Sequence, residues 1–169
     1  MVFDPLKTLK DIGDDISVAL NNGAYAGAII LTYAAIDAMS FLSMPENRKE
    51  VHRQDFIDWV EKYMRAEPSQ PYQYRGIDLY GARCGIVHRY GATSRLSDRG
   101  GCNIFGYHNG PNHIYKPDKH EKLVAISWPR LIVDFFSAMD RFLGDIMIDP
   151  ELKKRVESRI LDLFQVSPI

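Results

Sequence analysis

One stretch near the N-terminus, from Gly23 to Met44, constrains the fold of this chain more than any other. Asp37 is its only formal charge, and as a helix the stretch is long enough to cross a bilayer. However, Ala, Gly, Thr and Ser dilute its apolar residues, and an acidic side chain at mid-membrane costs about 2.5–3.5 kcal/mol. We therefore predict a helix surrounded by protein, and no membrane span.

Apolar residues recur at helical spacing in most of the remaining chain. Asp4-Pro5 and Asp149-Pro150 each place a capping residue before a proline at the first helical position, which is typical of a helix start. Ser127-Trp128-Pro129 opens a strongly amphipathic segment. The pattern predicts helices over about 6–20, 24–42, 51–65, 74–88, 128–146 and 150–164.

The segment from Arg89 to Lys122 has a different character, because glycine and proline separate short β-prone pieces. We expect Asn103–Tyr107 and Leu123–Ile126 to pair as a small hairpin-like sheet, with His113–Tyr115 as a third short strand. A long Gly-rich segment is uncommon in a compact domain unless it has a use. One use would be to reach over a site and select its substrate.

Together these patterns predict a single, mainly α domain over residues 1–169. Its expected architecture is an antiparallel helical bundle of five or six helices, with a short β-containing insertion (about 91–126) before the last two helices. A chain of 169 residues buries enough apolar surface to fold without disulfides. Cys84 and Cys102 are too few for a disulfide framework, and the first residues lack the features of a signal peptide, so we expect a cytoplasmic protein.

The formal net charge of -1 conceals a basic middle of the chain. Between Tyr72 and His120, seven Lys and Arg residues stand against three acidic ones, giving about +4 there and about -5 elsewhere. Tyrosines and phenylalanines are interleaved with them, Tyr80 and Tyr90 included. Arginine binds phosphates and aromatic rings stack on unpaired bases, the combination that single-stranded RNA recognition uses. A solvated loop of ordinary arginine content explains the pattern equally well.

The sharpest motif runs from Leu79 to His88, where Arg83 is followed after four intervening residues by His88. On a continuous helix the two positions differ by about 140° around the axis. They do not share a face, but a long arginine side chain and an imidazole in the last turn can border one cleft. Such a helix end has the chemistry to hold a phosphodiester.

This segment resembles the Arg-x(4–6)-His signature of the HEPN superfamily, small helical-bundle proteins many of which are metal-independent endoribonucleases. In that family the signature lies near the end of a helix late in an antiparallel bundle. The long second helix and the aromatic third helix of this chain are similar in order and spacing. The resemblance covers the chain except for residues 91–122.

The resemblance implies that Arg83 binds the scissile phosphate and stabilises its developing charge. It implies that His88 acts as general base on the ribose 2′-OH or as general acid on the leaving 5′-oxygen. It further implies a 2′,3′-cyclic phosphate product, no metal or other cofactor, and a homodimer in which two copies of the signature face each other. Cys84 departs from the family pattern, because active ribonucleases often have Asn, Asp or His after the signature arginine.

Structural explanations of the motif stay open. Arg83 can pair with an acidic residue, and His88 can cap its own helix end. Asp37, on the apolar second helix, can be a third polar group in the cleft or a structural partner of an arginine or a tyrosine hydroxyl. The small residues Gly81, Ala82, Cys84 and Gly85 favour close helix packing, either in the core or against a second subunit.

Other chemistries find less support in the sequence. Cys102, His108, His113 and His120 match no standard zinc spacing, so we predict no metal site. Cys84 one turn before His88, without an orienting Asn or Asp, is more simply a thiol than a nucleophile.

Two functions are therefore expected as alternatives. The first is a HEPN-like endoribonuclease acting on single-stranded RNA, in a toxin–antitoxin or defence system, with a separately encoded antitoxin or nucleotidyltransferase as partner. The second is a non-catalytic helical module that binds RNA, a nucleotide or a protein through the same cleft. The candidate catalytic residues are Arg83 and His88, and the candidate substrate-binding residues are Arg89, Tyr80, Tyr90 and Asp37.

Overall fold

The structure, a computed structural model, describes residues 5–163, which form a mostly helical fold with a small three-stranded sheet. The predicted cap Asp4 and the predicted helix end at Phe164 lie outside the described residues. The elements in chain order are α1 (Pro5–Asn21), α2 (Tyr25–Ser43), α3 (Arg53–Trp59, continued by a π-helical turn over Val60–Met64), α4 (Gly76–Arg89), α5 (Arg95–Asp98), β1 (Ile104–His108), β2 (Ile114–Tyr115), β3 (Leu123–Ser127), α6 (Trp128–Ile148) and α7 (Pro150–Arg159, followed by a 3-10 turn over Ile160–Asp162).

Helix α2 is the central element of the core. Tyr33, Ile36 and Met39 on it are completely buried, and the helix packs against α1, α3, α4, α6 and α7. Arg159 at the end of α7 donates hydrogen bonds to the carbonyls of Met44 and Pro45 and so satisfies the last acceptors beyond α2. By length and composition alone α2 is apolar enough to cross a membrane, but half of that apolar window is buried inside the protein.

The predicted helices are present, and the described residues contain seven α-helices rather than the expected five or six. The additional one is α5, a single turn inside the insertion, capped by the Ser94 side chain. The cap predicted at Asp149 is confirmed, and the helix predicted to open at Ser127-Trp128-Pro129 is capped by Ser127. Ser127 Oγ accepts from the N–H of Arg130, and the Asp149 side chain accepts from the N–H groups of Glu151 and Leu152.

The three predicted strands also form, but their expected arrangement is wrong in one respect. The strand order is β1-β3-β2, with β1 parallel to β3 and β2 antiparallel to β3. The β1–β3 pair is therefore not hairpin-like, because β2 lies between the two strands in the chain and takes the other edge of β3. Phe105 on β1 faces its partner Val124 on β3, and both side chains are completely buried.

The insertion is part of the core and is anchored to α4. The buried carboxylate of Asp78 accepts hydrogen bonds from the backbone N–H of Arg75 at 2.9 Å and from that of Asn103 at 2.8 Å. Tyr107 on β1 shares a 2.8 Å hydroxyl–hydroxyl hydrogen bond with the buried Tyr33 on α2. These bonds fix β1 and the residue before it to the first turn of α4 and to α2.

The small residues of α4 serve this packing within one chain. A Cβ built at Gly81 falls on the Cys102 sulfur, and one at Gly85 lies 2.8 Å from the Gly91 carbonyl oxygen and 2.9 Å from that of Thr93. The insertion thus covers the small-residue face of α4, and these glycines are explained without a second subunit.

A buried polar cluster closes the far side of the insertion against α6. Asp134 accepts from the Tyr74 hydroxyl at 3.0 Å and from Arg130 Nε at 2.8 Å, and His113 Nε2 lies 3.2 Å from it. His113 Nδ1 accepts from the Ser127 N–H at 3.2 Å, so Nε2 carries the proton that points to Asp134. Because His113 and Asp134 are only 4% and 3% exposed, this cluster stabilises the fold and is closed to substrate.

Candidate functional site

Arg83 lies near the middle of α4, and its side chain reaches across to α2. Arg83 Nε donates to Asp37 Oδ2 at 2.7 Å, and the two side chains are 22% and 29% exposed. The pair therefore sits at the partly exposed junction between α2 and α4. Of the alternatives that the sequence leaves open, Arg83 is paired with an acidic residue and Asp37 is the partner of an arginine.

His88 in the last turn of α4 completes a chain of three polar groups. Arg83 Nη1 lies 3.1 Å from His88 Nε2, because the long arginine side chain bridges the angular offset between the two positions. A guanidinium has only donors, so Nε2 must be the accepting nitrogen of a neutral imidazole whose proton is on Nδ1. His88 is exposed, and its Nε2 lone pair is aimed at the group that would hold a phosphate.

Asp37 is held in an unusual electrostatic environment. Burial raises the pKa of Asp37, and the positive charge of Arg83 and its hydrogen bond to the carboxylate only partly oppose that rise. Desolvation therefore outweighs the ion pair at this carboxylate. Asp37 nevertheless orients Arg83, because it binds Nε and leaves the terminal nitrogen Nη1 beside His88.

The cleft next to this chain has a volume of about 330 Å³ and is open to solvent. Asp37 and Arg83 form one wall, and the start of α3 with the residues before it forms the other. The remaining lining residues are Val51, His52, Arg53, Phe56 and Tyr80. A volume of this order holds a ligand of the size of one nucleotide.

Two polar residues of the cleft, His52 and Arg53, were not predicted from the sequence. No local pattern places them there: His52 precedes α3, and its backbone N–H donates to the Asp55 carboxylate at 2.8 Å, which caps the helix start. Close packing of α3 on α4 brings them to the cleft, since a Cβ at Gly76 would lie 2.8 Å from the Ile57 carbonyl oxygen.

Tyr80 is the one predicted substrate-binding tyrosine that lines the cleft. Its ring packs edge-on against Phe56 with the centroids 5.6 Å apart. Burial, together with the neighbouring Cys84, raises the pKa of the Tyr80 hydroxyl, which therefore stays protonated at neutral pH. Cys84 thus faces Tyr80 rather than forming a nucleophile pair with His88.

Arg89 and Tyr90 lie at the end of α4, outside the residues that line the cleft. Arg89 makes an exposed ion pair with Asp98 at 3.6 Å. The Tyr90 side chain is 70% exposed. The structure thus brings Asp37, Tyr80 and Arg83 to the cleft. His88 contacts Arg83 beside the cleft without lining it, and Arg89 and Tyr90 lie on the adjoining surface.

The cysteine and histidine residues of the insertion do not gather into a ligand set. Burial raises the pKa of the Cys102 thiol to about 11, His113 is bonded to Asp134, and His108 Nδ1 accepts from the N–H of Gly110. Over residues 5–163 no three His, Cys, Asp or Glu side chains are placed to share a metal ion.

The fold and the site define a helical domain with a polar Asp–Arg–His chain beside a nucleotide-sized cleft. Comparison of the chain with protein-family models, with curated proteins and with solved structures finds no match. The Asp37–Arg83–His88 chain and the resemblance of the Arg83–His88 motif are therefore the features that indicate a function.

Proposed function

We propose that this protein is a metal-independent endoribonuclease of the HEPN type that cleaves single-stranded RNA. The observation that carries the proposal is the hydrogen-bonded chain Asp37–Arg83–His88 at the edge of an open cleft. It places an obligate cation, which binds phosphate, beside a neutral imidazole, which accepts a proton. Those are the two groups that phosphodiester cleavage by an internal 2′-hydroxyl requires.

In the proposed mechanism the scissile phosphate replaces His88 as the partner of Arg83 Nη1, while Asp37 keeps hold of Nε. This exchange frees His88 Nε2 to accept the proton of the 2′-OH as the 2′-oxygen bonds to phosphorus. Arg83 stabilises the charge that develops on the non-bridging oxygens. The bond from phosphorus to the 5′-oxygen breaks, and that oxygen takes a proton, which leaves a 2′,3′-cyclic phosphate and a 5′-hydroxyl.

The assembly belongs to the same proposal. We propose that the helices form an antiparallel HEPN-like bundle and that the protein is a cytoplasmic homodimer in which two copies of the site face each other. The second His88 would then supply the proton for the leaving oxygen. A separately encoded antitoxin or nucleotidyltransferase would act as regulator, and no cofactor takes part.

A non-catalytic role is the second candidate, and one observation favours it. Arg83 is already held from both sides, by Asp37 and by His88, and Cys84 stands where active ribonucleases often have a polar residue. A domain with this arrangement would bind RNA, a nucleotide or a protein partner and leave RNA intact.

Incubation of the purified protein with mixed-sequence single-stranded RNA in EDTA separates the two candidates. The proposal expects cleavage by the wild type and its loss in Arg83→Ala and His88→Ala. His120→Ala, which removes an exposed histidine of the insertion, is the matched control and should cleave like the wild type. Intact RNA at high protein concentration would rule out the catalytic function, and tight RNA binding without cleavage would establish the second candidate.

A further inference from the structure

Tyr90, the residue that ends α4, has a backbone conformation that tyrosine rarely adopts. Its φ of +52° is the only positive value at a non-glycine residue in the described part of the chain. In this left-handed conformation its N–H donates to the Ile86 carbonyl at 3.0 Å and closes the helix. Glycine is the residue that helices favour at such a position, because a Cβ is crowded there.

Packing does not explain the tyrosine either. Its side chain is 70% exposed. Within residues 5–163 no hydrogen bond, ring contact or ion pair of the Tyr90 side chain is found. A bulky side chain that strains the backbone and buries little surface adds little to stability, which points to a contact outside the chain.

The surroundings of Tyr90 are basic and adjoin the proposed site. His88 lies two residues before it, and Arg89 is half exposed. Helix α5 packs beside the end of α4 and presents Arg95 to solvent, and Arg99 follows it, also exposed. The single acidic residue of α5, Asp98, pairs with Arg89 at 3.6 Å, and both side chains are about half exposed. Ion pairs as exposed as this one are weak.

We infer that Tyr90 is a stacking platform for an unpaired base next to the scissile phosphate, with the arginines around it binding the flanking phosphates. This inference rests on the proposed function and deepens it by naming the substrate feature that is recognised. Base–aromatic stacking tolerates every base, so the platform selects for single-stranded RNA rather than for a sequence. A duplex keeps its bases stacked on one another and has none to offer the ring.

The test compares Tyr90→Gly with Tyr90→Phe, both in a His88→Ala background that cannot cleave. The affinity of each for a labelled single-stranded oligouridylate is measured by fluorescence anisotropy. Tyr90→Gly should weaken binding by about 5- to 100-fold, and Tyr90→Phe, which keeps the ring, should bind like its parent. Tyr90→Gly should also raise Tm by about 2–4 °C, because it removes the backbone strain.

An abasic oligonucleotide makes the assignment specific. A series of strands, each lacking one base at a different position, is compared with the intact strand. At the position where the base stacks on Tyr90, loss of the base should weaken binding to the parent. The same loss should not lower the affinity of Tyr90→Gly any further. Equal affinity of Tyr90→Gly and its parent for the intact strand overturns the inference, and so does a lowered Tm in Tyr90→Gly. If the wild type neither binds nor cleaves RNA, the proposed function itself fails. If the wild type cleaves RNA but Tyr90→Gly leaves the RNA affinity unchanged, only the stacking role of Tyr90 is overturned.

Discussion

Arg83 makes two contacts that have opposite consequences for the proposed reaction. The bond to His88 must be exchanged for substrate, whereas the bond to Asp37 holds the guanidinium in place throughout. Asp37 is therefore a positioning residue whose removal should affect activity without affecting folding. Burial raises the pKa of its carboxyl, so its effect on stability depends on pH.

We predict that Asp37→Asn lowers RNA cleavage by about 10- to 100-fold and does not lower Tm at pH 7. Burial raises the pKa of Asp37 in the folded state, so its ionised form opposes folding at neutral pH and the neutral amide does not. As pH falls, Asp37 of the wild type takes up its proton earlier in the folded than in the unfolded chain. Any advantage of Asp37→Asn in Tm at pH 7 should therefore narrow toward pH 4.

Thermal melts of both proteins over this pH range provide the check. A large loss of Tm in Asp37→Asn at pH 7 would show that the ion pair outweighs desolvation and would contradict the account of this carboxylate. Unchanged cleavage by Asp37→Asn would show that Arg83 needs no support from α2.

At the scale of elements, the position of α4 is decided by backbone contacts that admit no side chain. Gly85 meets the carbonyl oxygens of Gly91 and Thr93, and neither of these backbone groups can rotate away. The end of α4 that carries His88 is thereby fixed against the start of the insertion. A methyl group at this position must move one of the two segments.

We predict that Gly85→Ala lowers the free energy of unfolding by about 1–3 kcal/mol because of this overlap. Gly144→Ala is the matched control, since a Cβ there meets nothing within 4 Å in the interior of α6. The control should be neutral or stabilise by up to about 1 kcal/mol, because alanine is the better helix former. Urea denaturation of the two variants measures both effects, and a stable Gly85→Ala would show that α4 and the insertion are not in contact.

The sequence predicts the long elements well and the short ones poorly. The continuous apolar run of α2 and the apolar stripe of α6 extend over five turns or more and identify both as core helices, as the structure confirms. Helix α5 spans one turn, too few residues to show any period. The direction of β1 relative to β3 is not encoded in either strand, because it depends on where β2 pairs.

The same contrast holds for the site. The motif pointed to Arg83 and His88 because they share one helix, and the charge in an apolar stretch pointed to Asp37. His52 and Arg53 reach the cleft through the packing of α3 on α4, which is a tertiary contact that no local pattern contains.

For the whole molecule, the insertion is a structural part of the domain rather than a detachable cover for the site. Two residues of the insertion's sheet, Phe105 and Val124, are completely buried in the main core. Asp78 on α4 and Asp134 on α6 anchor the insertion through hydrogen bonds to Asn103 and His113. Substrate selection by the insertion, expected from its composition, therefore has to operate from a fixed surface.

We predict that deleting residues 91–119 prevents folding and does not merely alter substrate range. The deletion removes Phe105 from the core and leaves Asp78 and Asp134 buried with fewer partners, and each such loss costs about 1–3 kcal/mol or more. Far-UV circular dichroism and size-exclusion chromatography would detect the failure. A cooperative, monodisperse deletion variant would show that the helices form a core without the sheet.

The central claim, that Arg83 and His88 cleave RNA through its own 2′-hydroxyl, is tested most directly with a DNA oligonucleotide that contains a single ribonucleotide. In EDTA, the wild type should cut only on the 3′ side of that ribonucleotide and leave a 2′,3′-cyclic phosphate, as mass spectrometry of the fragments would show. Arg83→Ala and His88→Ala should leave the strand intact. Cleavage at deoxynucleotides, cleavage that persists in both variants, or an uncut strand accompanied by uncut all-RNA substrate would contradict it.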